Sequence, residues 1–541
     1  MIDYICKYSP IEIFAGFGED ANLLNPVSVN FEKADTITHR NICSFSRAVI
    51  EKRFSEMKNP VIFSKCCDSL TDTADVLENL GQKVFILELP HTNTHCSINI
   101  YADELKRLVA ELEEYYGRKF DAAKFRGAFK SENNSVPGEH IALMGARMSP
   151  EVVEHIEKRS PYPIRNNSCT NLRILPECPD TEDFDELMNW YARALMNQTP
   201  CMRMADISDR KKIIESPDLK GIIYSTVSFC DYYGFEYAAL KNLDVPMLKI
   251  ETDYTLNTEG QMLTRLEAFF ESMKVDEKME AVKKEGYTAG VDSGSTSTNA
   301  VILDKDKNIV SFSVVPTGVK VSDSAERALN EAIKKAGLNR EDITAMVSTG
   351  YGRGKIEDRQ KDVTEITCHA KGAYFLNNNI RTVIDIGGQD SKVIRMDENG
   401  NVIDFAMNDK CAAGTGRFIE MMAQSLGLDM DEMSTKGLEW NENIVISSMC
   451  SVFAQSEVVS LIASDKKLED IVHGLNRSVA AKVLALGNRN KMQTEYMMSG
   501  GVAKNKGVVK EIENMLGVKL NVPDEPEILG ALGAALIAAE M

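Results

Sequence analysis

Thr288-Ala289-Gly290-Val291-Asp292-Ser293-Gly294-Ser295-Thr296-Ser297-Thr298 leads directly into Asn299-Ala300-Val301-Ile302-Leu303-Asp304. A small-residue run ending in an acid, a glycine and hydroxyl turn, and an apolar run read together as strand, tight turn, strand. A turn of this composition aims backbone N–H groups and hydroxyls at phosphate oxygens. The device recurs in Val383-Ile384-Asp385-Ile386-Gly387-Gly388-Gln389-Asp390-Ser391-Lys392, where Asp385 closes an apolar strand and can hold Mg²⁺ through water. A third stretch, Tyr496-Met497-Met498-Ser499-Gly500-Gly501-Val502-Ala503, is a strand and a diglycine that admits a nucleoside close to the backbone. Any one alone is weak, because glycine turns after strands are common. Three in this order mark out a nucleotide-hydrolysing domain.

Inside that domain lie two cysteines 39 residues apart, Cys411 in Lys410-Cys411-Ala412-Ala413-Gly414-Thr415-Gly416 and Cys450 in Met449-Cys450-Ser451-Val452-Phe453. Each is followed by a helical pattern, so both are expected at helix N-termini, where the dipole favours a thiolate or an anionic cluster. Two thiolates cannot complete the four-cysteine shell of a [4Fe-4S] cluster. A two-fold homodimer would bring four together on its axis.

The three nucleotide motifs resemble those of the actin, sugar-kinase and Hsp70 ATPase superfamily, with its RNase H-like lobes. The cysteine stretches and the terminal Glu527-Ile528-Leu529-Gly530-Ala531-Leu532-Gly533-Ala534-Ala535 narrow the resemblance to the activator of 2-hydroxyacyl-CoA dehydratases and its relatives in benzoyl-CoA reductase, the BadF/BadG/BcrA/BcrD-type ATPases. That resemblance implies ATP/ADP and Mg²⁺ as ligands and a cluster bridging the dimer through Cys411 and Cys450. It also implies Asp292, Asp385 and Gln389 as catalytic residues, with Ser293, Gly294, Ser295, Thr296, Gly387, Gly388, Gly500 and Gly501 around the nucleotide.

A formal charge of −19 with pI near 5.0 excludes a nucleic-acid binder, which needs a basic footprint. The absence of an apolar run near the ~18 residues of a membrane span points to a cytoplasmic protein without a membrane partner. The chain has 12 cysteines, which in that compartment read as metal ligands, redox thiols or core residues before disulfides.

Nine of the 12 cysteines precede residue 280. Short apolar runs alternate there with helical stretches: Val61-Ile62-Phe63, Val84-Phe85-Ile86-Leu87, Ile141-Ala142-Leu143-Met144, Ile222-Ile223-Tyr224-Ser225-Thr226-Val227 and Val245-Pro246-Met247-Leu248-Lys249-Ile250. This is the rhythm of an open, Rossmann-like α/β sheet, in which ligands bind beyond the carboxyl ends of strands. Cys66 and Cys67 follow the first of these strands, Cys230 follows the fourth, and Cys43 opens a helix. Together with Lys65-Cys66-Cys67-Asp68, Ser228-Phe229-Cys230-Asp231 and Tyr4-Ile5-Cys6-Lys7-Tyr8, this half resembles a component of a 2-hydroxyacyl-CoA dehydratase or a double-cubane cluster protein. The resemblance implies a second iron–sulfur cluster, [4Fe-4S] or double-cubane [8Fe-9S], with Cys43, Cys66 or Cys67, and Cys230 at its three cysteine positions and the other of Cys66 and Cys67 structural or serving a second cubane. Cys201 in Thr199-Pro200-Cys201-Met202 and Cys169 in Ser168-Cys169-Thr170 lie in further recognisable stretches and are additional candidates.

The expected organisation is an iron–sulfur half at 1–275, a charged linker at 276–286 and an ATPase half at 287–541. The implied activity is ATP-dependent electron transfer from the bridging cluster to the N-terminal one, with reduced ferredoxin or flavodoxin as donor and a separate dehydratase or reductase as a possible partner. Two alternatives use fewer of these features. An ATP-switched activator or maturation scaffold would serve another metalloenzyme. A small-molecule kinase would leave the cysteines idle.

Overall fold

The computed structural model describes all residues except 57–58, 130–137, 170–172, 241–242, 244, 256–258, 274–285, 410, 447–450 and 489–490. Cys450 and nearly all of the stretch read as a linker lie outside the described residues. The chain divides into two compact units, Met1–Leu266 and Glu267–Met541.

In the first unit strands and helices alternate as expected, but the strands form two sheets and not one. β1 (Ile2–Tyr4), β2 (Ala21–Leu23), β3 (Val61–Lys65) and β4 (Val84–Glu88) make a parallel sheet in the order β2-β1-β3-β4. β5 (His140–Gly145), β6 (Ile164–Asn166), β7 (Leu219–Val227) and β8 (Met247–Thr252) make a second parallel sheet, β6-β5-β7-β8. Helical crossovers dictate parallel pairing, but hydrophobic rhythm does not name the neighbour. Here the helix His95–Tyr116 follows β4, and the chain then starts a new sheet at β5. Each sheet has its own core, one around Phe14, Phe63, Phe85 and Tyr101, the other around Ala142, Met144, Ile222 and Tyr224.

The second unit repeats one plan. β9 (Tyr287–Ser293), β10 (Ser297–Leu303), β11 (Ile309–Pro316), β12 (Ile343–Thr349) and β13 (Lys361–Asp362) are ordered β11-β10-β9-β12-β13. β14 (Thr382–Ile386), β15 (Ser391–Met396), β16 (Val402–Asn408) and β17 (Tyr496–Ser499) are ordered β16-β15-β14-β17. In both sheets the first strand pairs antiparallel with the second and parallel with the fourth. This is the duplicated α/β fold of the actin, sugar-kinase and Hsp70 ATPases.

Helix Val321–Ala336 shows why the layers form. Ala325, Ala328, Leu329, Ala332 and Ile333 recur at helical spacing and are buried, and Gly337 ends the helix in the left-handed conformation at φ 71°. The terminal helix Leu529–Ala539 is apolar on every face and almost wholly buried, as such a helix must be. Its glycines let it approach its neighbours: a methyl group on Gly533 would lie 1.8 Å from the carbonyl oxygen of Cys368.

Candidate nucleotide site and thiol cluster

Both glycine turns are hairpins at the head of a sheet. Gly294 N–H donates to Ser297 O between β9 and β10, and Gly387 N–H donates to Asp390 O between β14 and β15, each at 3.0 Å. The turns face each other across a cleft of about 380 Å³. A side chain on Gly388 would put its first carbon 2.0 Å from Thr296 Oγ1, so the closeness of the two turns requires glycine there. Asp292, Gly294, Ser295, Thr296, Asp385, Gly387, Gly388, Gly500 and Gly501 all line the cleft. Ser293 does not: it is buried behind its turn, its hydroxyl without a hydrogen-bond partner among the described residues. Gln389 is exposed and also outside the lining.

The two aspartates occupy matching strand ends but different electrical settings. Asp385 is buried beside Lys392 Nζ at 3.3 Å and His369 Nε2 at 3.3 Å, and it accepts from Ser499 Oγ at 2.9 Å. Burial alone would raise its pKa, but the two cations hold it well below the carboxylate range. Lys392 also reaches Asp390 at 2.6 Å, and these carboxylates keep it protonated against the cost of burial. His369 Nδ1–H donates to the Glu365 carbonyl oxygen, 2.7 Å away. Burial would lower its pKa, but Asp385 dominates and raises it to about 9. Among the described residues Asp292 makes no comparable ion pair, and burial lifts it from 3.8 to about 6, opposed by His369. Two glycines enclose it: a methyl group on Gly350 would meet Asp292 Oδ1 at 2.5 Å, and one on Gly530 would meet Asp292 Oδ2 at 2.2 Å.

His369, Lys392, Asp390 and Glu365 also line the cleft, and the sequence alone does not single them out; His369 reads there as an ordinary satisfied histidine. Lys392 carries a signal, because it pairs directly with Asp385 in the β14–β15 register. His369 carries none, since it comes from a different element, the helix Glu365–Leu376.

Cys411 is exposed in the loop between β16 and helix Gly416–Leu426, five residues short of the helix and not in its first turn as expected. That helix is tied to the second glycine turn: Gly416 N–H donates to Gly387 O at 2.9 Å and Arg417 N–H to Gly388 O at 2.8 Å. Helix Ser451–Ala463 starts right after Cys450 and meets the first helix through Gln455 Nε2 donating to Ser425 Oγ at 3.0 Å. Its Val452 and Phe453 are 65% and 68% exposed.

In the first unit the structure brings the expected thiols together and adds one. Cys43, Cys67 and Cys230 each stand at the mouth of a helix, Ser44–Ser55, Asp68–Asn79 and Asp231–Leu240. Cys43 shares a hydrogen bond with Cys230, Cys66 with Cys67 and Cys6, and Cys201 with Cys169. Cys6 is the addition, and Cys169 lies in a stretch that the sequence already offers. The Cys43 hydrogen bond draws the Cys230 thiol down to about 6 while Cys43 is pushed up. Among the described residues no three His, Cys, Asp or Glu side chains are arranged to hold a metal ion. Arg203 faces the group, its Nη1 donating to Cys66 Sγ at 2.9 Å.

Two glycine turns over one cleft, with buried aspartates at matching strand ends, define an ATPase of the actin-like class. Residues 289–538 match the BadF/BadG/BcrA/BcrD ATPase family, and residues 6–164 and 136–273 match the 2-hydroxyglutaryl-CoA dehydratase D-component. The chain belongs to that ATPase family and carries a dehydratase-component domain before it. It is 47% identical over 47% of its length to the activator of lactoyl-CoA dehydratase of Anaerotignum propionicum, 98% of which is covered. The (R)-2-hydroxyglutaryl-CoA dehydratase activating ATPase of Acidaminococcus fermentans is 44% identical over 47% of this chain and 96% of its own. A benzoyl-CoA reductase component of Thauera aromatica is 30% identical over 47% of this chain and 93% of its own. Among solved structures, the ADPNP-bound activator of the 2-hydroxyisocaproyl-CoA dehydratase from Clostridium difficile is 44% identical, covering 47% of this chain and 94% of that one at a TM-score of 0.45. Among the described residues no helix is long and apolar enough to cross a membrane.

Proposed function

We propose that this chain is an ATP-driven electron-transfer protein, in which ATP hydrolysis by residues 287–541 serves a reduction at residues 1–275. When bound, a [4Fe-4S] cluster on Cys411 and Cys450 of two protomers would supply a low-potential electron, and an iron–sulfur cluster held by Cys43, Cys66, Cys67, Cys201 and Cys230 would accept it for a 2-hydroxyacyl-CoA dehydration-type or small-molecule reduction. The protein works in the cytoplasm as a homodimer, with ferredoxin or flavodoxin as donor, and a separate dehydratase or reductase is a further acceptor. The relatives named as activators support the ATP-driven part.

The observation that carries the coupling is the pair of hydrogen bonds from Gly416 and Arg417 to the carbonyls of Gly387 and Gly388. A γ-phosphate that reorders the second glycine turn pulls on the first turn of this helix, and so on the Cys411 loop that feeds it. Such a helix is a two-state element biased by nucleotide. Asp292, in its ionised form, would accept a hydrogen bond from the attacking water, and it and Asp385 are the residues that would hold Mg²⁺ through water. Lys392 balances the charge of Asp385 and Asp390 beside the phosphates. Hydrolysis relaxes the turn and makes the cycle one-way.

The donor set in the first unit fits a polynuclear sulfur-bridged group. Its donors are all thiols, they meet in neighbouring pairs, and three helix N-termini and one guanidinium face them. A single metal ion would instead require three converging ligands, which the described residues lack.

The test is anaerobic purification of the full chain with iron, sulfide and EPR analysis, alongside Cys411→Ser and Cys450→Ser. The expected result is an iron–sulfur signal that each substitution removes in part while ATP hydrolysis persists. A colourless, iron-free protein that hydrolyses ATP normally sinks the electron-transfer reading and favours a scaffold or kinase.

A further inference from the structure

Arg203 is a cation paired with no carboxylate among the described residues. Two other arginines of the first unit each have one: Arg210 grips Glu236 at 2.6 and 2.8 Å, and Arg173 grips Glu12. Among the described residues no Asp or Glu lies within ion-pair distance of Arg203, and its buried Nε has no hydrogen-bond partner. Its guanidinium carbon sits 5.1 Å from the Tyr232 ring and 5.9 Å from the Tyr233 ring, contacts that hold a cation without neutralising it. What it does face is sulfur. Nη1 donates to Cys66 Sγ at 2.9 Å, and the field of the guanidinium reaches Cys67, Cys169, Cys201 and Cys230. A desolvated, unpaired cation is costly unless negative charge offsets it, and the thiol group is the only source the described surroundings offer.

We propose that Arg203 is the counter-ion of the iron–sulfur group in the first unit and sets how readily that group takes up an electron. The inference rests on the functional reading above. One-electron reduction adds one negative charge to the sulfur-bound group without adding a proton, and a fixed positive charge at hydrogen-bond distance from a ligand sulfur favours the reduced form. Arg203 is a positioning and tuning residue that acts through Cys66. The aromatic rings of Tyr232 and Tyr233 pack against the guanidinium that faces the thiols.

The experiment is an EPR-monitored redox titration, with dithionite as reductant, of the anaerobically purified full chain carrying Cys411→Ser, so that the remaining signal reports the first unit. Arg203→Gln and Arg203→Lys are compared on that background, each with iron and sulfide analysis. Arg203→Gln is expected to shift the midpoint potential downward, with Arg203→Lys lying between it and the parent. Loss of iron from the Gln variant with retention in the Lys variant also supports the proposal, because only charge distinguishes them in that way. An unchanged or raised midpoint in iron-replete Arg203→Gln overturns it, as does equal loss of iron from both variants, which would mark a structural role. Absence of iron from the parent itself defeats the functional reading instead, so the two failures are separable.

Discussion

Replacing Gly530 by alanine tests the geometry of the hydrolytic site at one atom. The new methyl carbon would lie 2.2 Å from Asp292 Oδ2 and 2.8 Å from His369 Cε1. Contact at van der Waals distance needs about 3.5 Å, so the carboxylate must retreat by more than about 1 Å. Asp292 Oδ2 is the free end of a side chain and can rotate away, so the stability cost is expected at the low end of the ~1–3 kcal/mol typical of overpacking. Catalysis has no such slack, because a displacement of about 1 Å at a reacting group costs on the order of 10²-fold in rate. Gly533→Ala on the same helix provides the contrast. Its methyl group would lie 1.8 Å from the backbone oxygen of Cys368, which cannot rotate away. That variant should lose more stability, about 2–10 °C in Tm if the cost is ~1–3 kcal/mol. Steady-state ATPase assays and differential scanning calorimetry on both proteins decide the matter. If Gly530→Ala keeps the parental kcat, Asp292 is not where hydrolysis depends on it and the assignment is wrong.

ATP hydrolysis should fall as the pH drops through about 6, the value to which burial lifts Asp292, and Asp292→Asn should be slower by about 10²-fold and lack this acid limb; a parental pH–rate profile in the variant removes Asp292 from the mechanism. The same raised carboxyl favours the protonated fold, so its contribution to stability is present below 3.8 and lost as the pH rises through about 6. His369 has the opposite charge type. Raised from 6.5 to about 9 by Asp385, it stabilises the second unit fully below 6.5, and this contribution disappears as the pH rises through about 9. Thermal unfolding of His369→Gln should therefore be flatter between those values than that of the parent. Finally, Cys230→Ser should abolish ATP-driven reduction of an acceptor while leaving ATP hydrolysis unchanged, measured in parallel on one preparation; a matched loss of both would show that the thiol matters to folding and not to electron transfer.

The nucleotide half was legible in the sequence because its information is local. A phosphate turn is a run of consecutive small residues between two apolar strands, so Gly294–Thr296 and Gly387–Gly388 were readable as written, and the Asp385–Lys392 pair follows once the hairpin register is known. The cysteine stretches were equally visible, since composition and the residues beside them carry the resemblance. Tertiary structure alone decided the rest. His369 reaches Asp385 from another helix, Gly530 closes on Asp292 from the last helix of the chain, and Arg203 meets Cys66 across 137 positions. The division of the first unit into two sheets belongs to the same class, because strand–helix rhythm specifies parallel pairing but leaves the choice of neighbour to packing. Long-range contacts of this kind leave no periodic trace along the chain. Each is set by which faces bury together, and the identity of a residue records that choice only after the fold has made it.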